Sequence, residues 1–560
     1  MRRALPLLLV GVLLLANAPT LADAWRGHVF YGYRLDACDA TPLGDACDTL
    51  FSHLFAYDAW TRTVEAWGSR TSILGFLLQD LWQVAADSRA FNLLDFLLLV
   101  WPARLLLPTA PAFTVLHLGI VALAILAGWA FARGLGASRM ASVAAASVAG
   151  GSGVVIECVM RGQYPQAVLA PILMWFLGLE RAVRGGRGAI ALCAGGLALS
   201  ALLYWQNPLI LAVGTVAWGL GRVATGEGVR REGVVRVAAG AGIAAVLCMP
   251  AAWPVLRAMQ GGMDDKLMLV PWGTAYGAQG QHGMAELLDE VSLARMFSPA
   301  HGWIVALPLI PALFAGLRSR RDLAWVAVSL VGFVLALGPA PEVGDARVGN
   351  PIYLYAYPWV PTFSRMSHPL RYGVLLAVGL TAGTAIGVDR LRVRWPEHAL
   401  LLVASGLAWL VIVGPWRLRV SPFPEAVATT LAPCDTLVLA VDLDGERPFE
   451  DVRRLQGLLW RPVYPAQDRA AGGIATPTPR QRAASDGLRA LRDQLLSGAR
   501  TDLPPGVCVV HDEGLVYPYT EEARAGIVRV LGEPGTVIEV EGLYKPSAAT
   551  RRLEVFRPSL

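Results

Sequence analysis

Charge is what this 560-residue sequence has least of. Asp, Glu, Lys and Arg make up 16% of it, against roughly 25% in soluble domains. With 55% of the chain hydrophobic, a surface that meets only water is excluded; part of it must meet lipid. Lysine is almost missing, since nearly all of the 48 Lys+Arg are Arg. The net charge of +5 is small, and the Arg residues fall in short clusters between apolar runs. No basic-aromatic face of the kind that binds nucleic acid is present. Only eight histidines occur, with no HExxH motif and no His cluster. The seven cysteines form no CxxC pair and no zinc spacing. The glycine-containing stretch ARGLGASR (132–139) lacks the strand before it that a nucleotide-binding loop requires. Short internal repeats and long low-complexity segments are also lacking; GGIATPTPRQRAAS (472–485) reads as a loop.

What is present is apolar length. The mean hydropathy is +0.48, and runs near the roughly 20 residues that cross a bilayer recur. MRRALPLLLVGVLLLANAPTLADAW has the charged start and apolar run of a signal peptide, with ANA as a cleavage site. Because more runs follow and this one is long enough to cross, it is read as an uncleaved first span. Ten further candidates lie at 113–133, 141–160, 166–181, 188–206, 208–222, 234–256, 301–317, 322–339, 370–388 and 398–415.

With Met1 in the cytoplasm and the sides alternating, the inner connections hold Arg133 and Arg139; Arg181, Arg184 and Arg187; Arg222, Arg230, Arg231 and Arg236; Arg318, Arg320 and Arg321; and Arg390, Arg392 and Arg394. That is the positive-inside pattern at every inner loop. FNLLDFLLLVWPARLLLP (91–108) carries Asp95, Pro102 and Arg104. Counting it as a span inverts every later loop, so it is read as an interfacial or re-entrant element on the outer face; a span is the competing reading.

The expected fold is therefore an α-helical polytopic membrane protein with about 11 transmembrane helices over 1–415. The outer pieces are 23–112, 257–300, 340–369 and a separate small α/β domain over 416–560. In that tail CDTLVLAVDL and GVCVVHDEGLVY look like buried strands, and SDGLRALRDQLLSG and TEEARAGIVRVLG have helical period. TVIEVEGLY and RRLEVFRP alternate like strands. Cys158, Cys193 and Cys248 lie in apolar runs as small core residues. Cys38 with Cys47, and Cys434 with Cys508, are candidate disulfides if their segments face an oxidising compartment.

Several stretches then carry a family resemblance over nearly the whole chain. AFNLLDFLLLVWPARLLL is similar to an Asn-led apolar segment ahead of a second span. AGGSGVVIECVMRGQYPQAVLAPILMWFLGLERAVRG (149–185) resembles a small-residue span, an outer turn and a Pro-containing span ending in Leu-Glu-Arg. YPWVPTFSRMSHPLRYGVLLAVGL (357–380) resembles an Arg- and Pro-containing approach to a late span, and GVCVVHDEGL a valine-rich strand ending in His. Together with the long acidic first outer loop, the chain resembles bacterial GT-C-type membrane glycosyltransferases. The resemblance implies a polyprenyl-phosphate-linked sugar donor and an acidic catalytic base in the first outer loop. It also implies a glycan, lipid or protein acceptor outside the inner membrane.

Within GDACDTLFSHLFAYDAW (44–60), Asp48 is the first candidate base and Asp45 its neighbour, three residues apart and so on one face of a helix. Asp36 and Asp39 are runners-up, and capping or Asx turns are the bland alternative for all of them. His53 is a secondary substrate contact or structural. Arg365, His368 and Arg371 in SRMSHPLRYG, and more weakly Arg161, are candidates to meet the leaving phosphate; snorkelling at a helix end is the competing reading. Glu157, near the outer end of a span, either pairs with Arg161 or lines the substrate site. YWQNP (204–208) ends another span with amides and aromatics suited to sugars. Asp45, Asp48 and Glu157 supply oxygens of the kind a divalent cation takes. The rival functions are a lipid-linked glycan transporter or flippase, and a non-catalytic assembly protein with the same fold.

Overall fold

The computed structural model describes residues 5–25, 28–30, 107, 109–160, 168–204, 206–226, 228, 230–260, 322–338, 342–343, 346–356, 369–413, 420–422, 425–439, 463–464, 487, 490–495, 497–499, 502–512, 520–540 and 551–557, and the structural statements below concern these. They separate into two compact units. One draws on 1–20, 115–253 and 264–417, the other on 21–114, 254–263 and 418–560.

The chain is mostly helical. Helices Thr109–Leu135, Arg139–Gly150 with Gly153–Met160, Leu169–Val183, Ala189–Leu203, Asn207–Ala224, Arg231–Gln260, Leu323–Ala336, Gly373–Arg394 and Pro396–Val413 fall on nine of the ten apolar runs expected after the first. The tenth, 301–317, lies outside the described residues. The expected count of about eleven spans is nevertheless not met. Four described helical stretches are long and apolar enough to cross a membrane: Thr114–Leu135, Arg139–Ile156, Arg231–Pro250 and Gly373–Arg394. A fifth is added if Leu5–Ala16 and Ala18–Trp25, bent by 61° at their junction, make one span.

Length explains much of the shortfall. Leu169–Val183 and Ala189–Leu203 have 15 residues each, and Leu323–Ala336 has 14. At about 1.5 Å per residue they reach about 21–23 Å, below the roughly 30 Å of a hydrocarbon core.

Small residues let these helices approach closely. A Cβ at Gly379 would overlap the Ser329 side chain and the Trp325 carbonyl, and one at Gly332 would strike the Leu376 backbone. Glycine at both positions brings Leu323–Ala336 against Gly373–Arg394, the contact that small residues provide between helices in an apolar medium. Phe131 and Phe176 pack on the ring of Trp325 beside it.

Charges gather at one end of this helical unit. Glu180, 3% exposed, accepts from Arg222 Nη1 at 3.1 and 3.2 Å and pairs with Arg184 at 2.6 Å. Arg222, 8% exposed, also lies over the Trp218 ring at 5.1 Å. Arg236 donates to the Ala182 carbonyl. Arg390 pairs with Asp322 at 2.6 Å, and the Ser138 N–H donates to Asp389 at 2.8 Å. Gly221 abuts Ala324, which joins the two groups of pairs. The Arg-bearing turns after Leu135, Val183, Ala224 and Arg394 and the start of Leu323–Ala336 thus share one end.

The second unit holds a five-stranded sheet in the order β6-β5-β7-β9-β8, formed by Thr436–Leu439 (β5), Val463–Tyr464 (β6), Val507–Asp512 (β7), Thr536–Val540 (β8) and Arg551–Phe556 (β9). β5 runs parallel to β6 and β7, and β9 antiparallel to β7 and β8. His28–Phe30 (β1) pairs antiparallel with Val420–Pro422 (β4), and Glu342–Val343 (β2) with Ala346–Arg347 (β3) forms a separate small hairpin. Val509 and Phe556 on one face of the large sheet bury against Leu491, Leu495 and Ile527. On the other face Cys508 is joined to Cys434 by a disulfide that closes a sequence separation of 74 residues, worth about 4 kcal/mol in a chain-entropy account. Cys193 is a buried core thiol, as expected. Cys38 and Cys47 lie outside the described residues.

Removing one partner of a buried ion pair leaves the other charge in an apolar site. Glu180→Ala is expected to destabilise the helical unit by about 3–5 kcal/mol, read as the thermal midpoint in detergent. The double replacement with Arg222→Met should cost less than the single one.

Candidate functional site

The end of the helical unit opposite the ion pairs carries a different kind of polar cluster. Ala189–Leu203 stops at Tyr204, whose extended backbone (φ −156°, ψ 112°) turns the chain out of the helix. Pro208, preset for a helix start, opens Asn207–Ala224. Only residues 204–206 separate the two helices. The Ser200 carbonyl at the first helix's end accepts from the Tyr204 N–H and the Asn207 side-chain amide, so the turn is pinned from both sides.

Into this turn reaches Arg371, from the 3-10 turn Pro369–Tyr372 that leads into Gly373–Arg394. Its Nη1 donates to Gln206 Oε1 at 2.7 Å, and its guanidinium lies over the Tyr204 ring at 5.2 Å. Tyr204 Oη donates to the same Gln206 oxygen at 2.7 Å. Tyr204 is 6% and Gln206 4% exposed, Asn207 and Tyr372 are buried, and Arg371 is half-buried. Asn350, at the far end of Leu323–Ala336 from Asp322, donates to the Val334 and Gly338 carbonyls. Two sequence stretches singled out separately, YWQNP and SHPLRY, therefore meet through side chains 165 residues apart. Each stretch signalled polar chemistry at a helix end; neither signalled the other.

Of the other candidates, Asp45, Asp48, His53, Arg161, Arg365 and His368 lie outside the described residues, as do Asp36 and Asp39. Glu157 lies on the Gly153–Met160 helix. Among the described residues no group of three or more His, Cys, Asp or Glu could hold a metal ion.

A second buried charge cluster escaped the sequence reading. His511 on β7 and Glu554 on β9 are register partners. Glu554, fully buried, takes a bidentate pair from Arg524 on the Thr520–Leu531 helix at 2.6 and 2.7 Å. His511 Nδ1 stands 3.4 Å away and Arg552 3.6 Å away. Burial by itself raises the Glu554 pKa. The hydrogen bond and charge of Arg524, with His511 and Arg552, outweigh it and hold the carboxyl below its ordinary value of 4.5. The inward position of Glu554 in the alternating RRLEVF was the one available signal. The cluster pins a helix to the sheet.

A scan against models of known protein families finds no match, and no curated protein matches the sequence.

A carboxyl with a lowered folded pKa stabilises the fold fully above its unfolded value and loses that contribution as pH falls through the folded value. The contribution of Glu554 to the second unit is therefore expected to be complete at neutral pH and to fade in acid, as pH falls through its lowered folded value. Glu554→Gln should flatten this fall, measured as unfolding midpoint against pH.

Proposed function

We propose that this protein is a GT-C-like membrane glycosyltransferase. It moves a sugar from a polyprenyl-phosphate carrier to an acceptor on the outer side of the membrane. The observation that carries the reading is the Arg371–Gln206–Tyr204 cluster. It fixes a guanidinium, the group that meets phosphate oxygens in a planar fork, at the end of the helical unit away from the ion-paired arginines.

Two further features support it. Arginines gathered at one end suit a cytoplasmic face, which leaves 204–206 and 371 outside. The Cys434–Cys508 disulfide suits an oxidising compartment for the second unit.

In this reading the first outer loop supplies the base. The Asp48 carboxylate takes the proton of an acceptor hydroxyl as its oxygen attacks the anomeric carbon. The bond from that carbon to the phosphate oxygen breaks, and its electron pair leaves with the phosphate. A single displacement of this kind inverts the anomeric centre. Phosphate departs as a stable anion and needs positive charge rather than a strong acid, which is the part given to Arg371.

Asp48→Asn in the full-length protein, reconstituted in nanodiscs, is expected to lower transfer from defined polyprenyl-phosphate sugars by about 10²–10⁴-fold, assayed as release of polyprenyl phosphate. Full activity in this variant would remove Asp48 as the base.

A further inference from the structure

The arginines at the ion-paired end divide into two sets. From Glu180 to Arg236 the chain carries seven arginines against three glutamates, Glu180, Glu227 and Glu232. Arg184 and Arg222 pair with Glu180, and Arg236 with Glu232 at 3.7 Å. Arg181, Arg187, Arg230 and Arg231 form no ion pair among the described residues, to which Glu227 does not belong. Arg187, Arg230 and Arg231 are exposed.

Packing brings these charges to one corner. A Cβ at Gly233 would stand 3.3 Å from the Ala182 carbonyl oxygen and from the Val183 Cα, and Arg236 donates to that same carbonyl. The start of Arg231–Gln260 is therefore seated on the turn that carries Arg184 and Arg187. Ala189–Leu203 also begins here, after Gly188, with no side chain capping its first N–H groups. Those groups add partial positive charge.

The helix that starts in this corner is also the least covered of the long apolar ones. Its Arg231–Pro250 stretch is 17% buried, against 56–89% for the other three. It touches its neighbours along one stripe: Gly233, Gly240 against Cys193 and Ile190, Ala244, and Cys248, whose thiol donates to the Ala198 carbonyl. Val234, Val235, Ile243, Val246, Leu247 and Met249 stand exposed. This apolar face starts within one turn of Arg231 and runs about 27 Å to Met249, more than one leaflet's share of a roughly 30 Å hydrocarbon core.

Unpaired guanidiniums joined without a break to a bare apolar face match one kind of molecule, in which an anion and a hydrocarbon chain are covalently linked. We propose that the turn carrying Arg181 and Arg187, with Arg230 and Arg231, binds the headgroup of an anionic phospholipid whose acyl chain lies along the exposed face of Arg231–Gln260. The guanidiniums meet the phosphate oxygens in forks, and the chain supplies the packing that the protein leaves out. The site lies at the opposite end of the helical unit from Arg371 and needs no part of the transfer chemistry.

Native mass spectrometry of the full-length protein, released from detergent, reads bound lipid and oligomeric state together. Dioctanoyl phosphatidylglycerol is titrated beside dioctanoyl phosphatidylcholine, which has the same chains and phosphate but no net charge. Wild type should hold phosphatidylglycerol about tenfold more tightly or better. Each arginine charge removed should weaken phosphatidylglycerol about fivefold, the equivalent of about 1 kcal/mol. Arg187→Gln, Arg230→Gln and Arg231→Gln together should therefore abolish the preference and leave phosphatidylcholine binding unchanged. If this triple variant does not fold, Arg187→Gln and Arg230→Gln singly should each show the fivefold loss. Arg139→Gln with Arg394→Gln removes exposed charge at the same end on other helices and should keep the preference. Equal binding of the two lipids by wild type, or an unchanged preference in the folded Arg187, Arg230 and Arg231 variants, overturns the proposal. So does an equal loss in the Arg139 and Arg394 variant, which would make the effect one of general surface charge. Displacement of phosphatidylglycerol by equimolar glycerol 3-phosphate would make this a site for free phosphate. A dimer that persists in excess phosphatidylglycerol would give the apolar face to a second copy. Either result contradicts the lipid site.

Discussion

A charge in an apolar helical body must be met by an opposite charge or carried to an end, and the Glu180–Arg222 pair is where this chain meets that constraint most severely. Both side chains are almost wholly buried between Leu169–Val183 and Asn207–Ala224. Continuum arguments make such a pair a weak source of stability but an expensive thing to break. What it supplies is specificity: it ties these two helices together in the pairing that places Arg222 against Glu180, while Arg222 also lies over Trp218 of its own helix. The Arg390–Asp322 and Ser138–Asp389 contacts do the same for the neighbouring helices. With the ion pairs fixed at one end, the opposite end is fixed as the place where Tyr204, Gln206 and Arg371 converge.

The two ends use arginine differently. At the ion-paired end each paired guanidinium is a structural element whose charge is spent on a carboxylate. At the other end Arg371 meets an amide oxygen and an aromatic ring, contacts that orient its guanidinium. Preorganised charge of this kind is what a departing phosphate requires. The second unit follows the first pattern: Glu554 binds Arg524 across a buried face, and the Cys434–Cys508 bridge ties the segment before β5 to β7.

Local structure was legible in the sequence to the extent that it is local. Apolar runs placed nine helices, buried-strand runs placed β5 and β7, and alternation placed β8 and β9 in the tail. Hydropathy could not set the number of spans, because a 15-residue apolar helix and a full crossing read alike over a short window. Partners were illegible for a different reason. That Gln206 meets Arg371, or that His511 stands opposite Glu554, depends on helix packing and strand register, neither of which leaves a mark at a fixed spacing. YWQNP and SHPLRY each carried a hint because polar side chains at the mouth of an apolar helix are costly without a partner. Asp48, the residue on which the proposed chemistry turns, rests on sequence alone.

The account stands or falls on which side of the membrane each end of the helical unit faces. Single cysteines at Gly226, in the turn after Asn207–Ala224 at the arginine-rich end, and at Val348, an exposed position at the opposite end, can be probed on intact spheroplasts. The background should have its other thiols replaced or blocked, and the reagent should be a membrane-impermeant maleimide. The account predicts labelling at position 348 before lysis and at position 226 only after it. Labelling at 226 in intact cells, with 348 protected, would put the Arg371 cluster in the cytoplasm and contradict it.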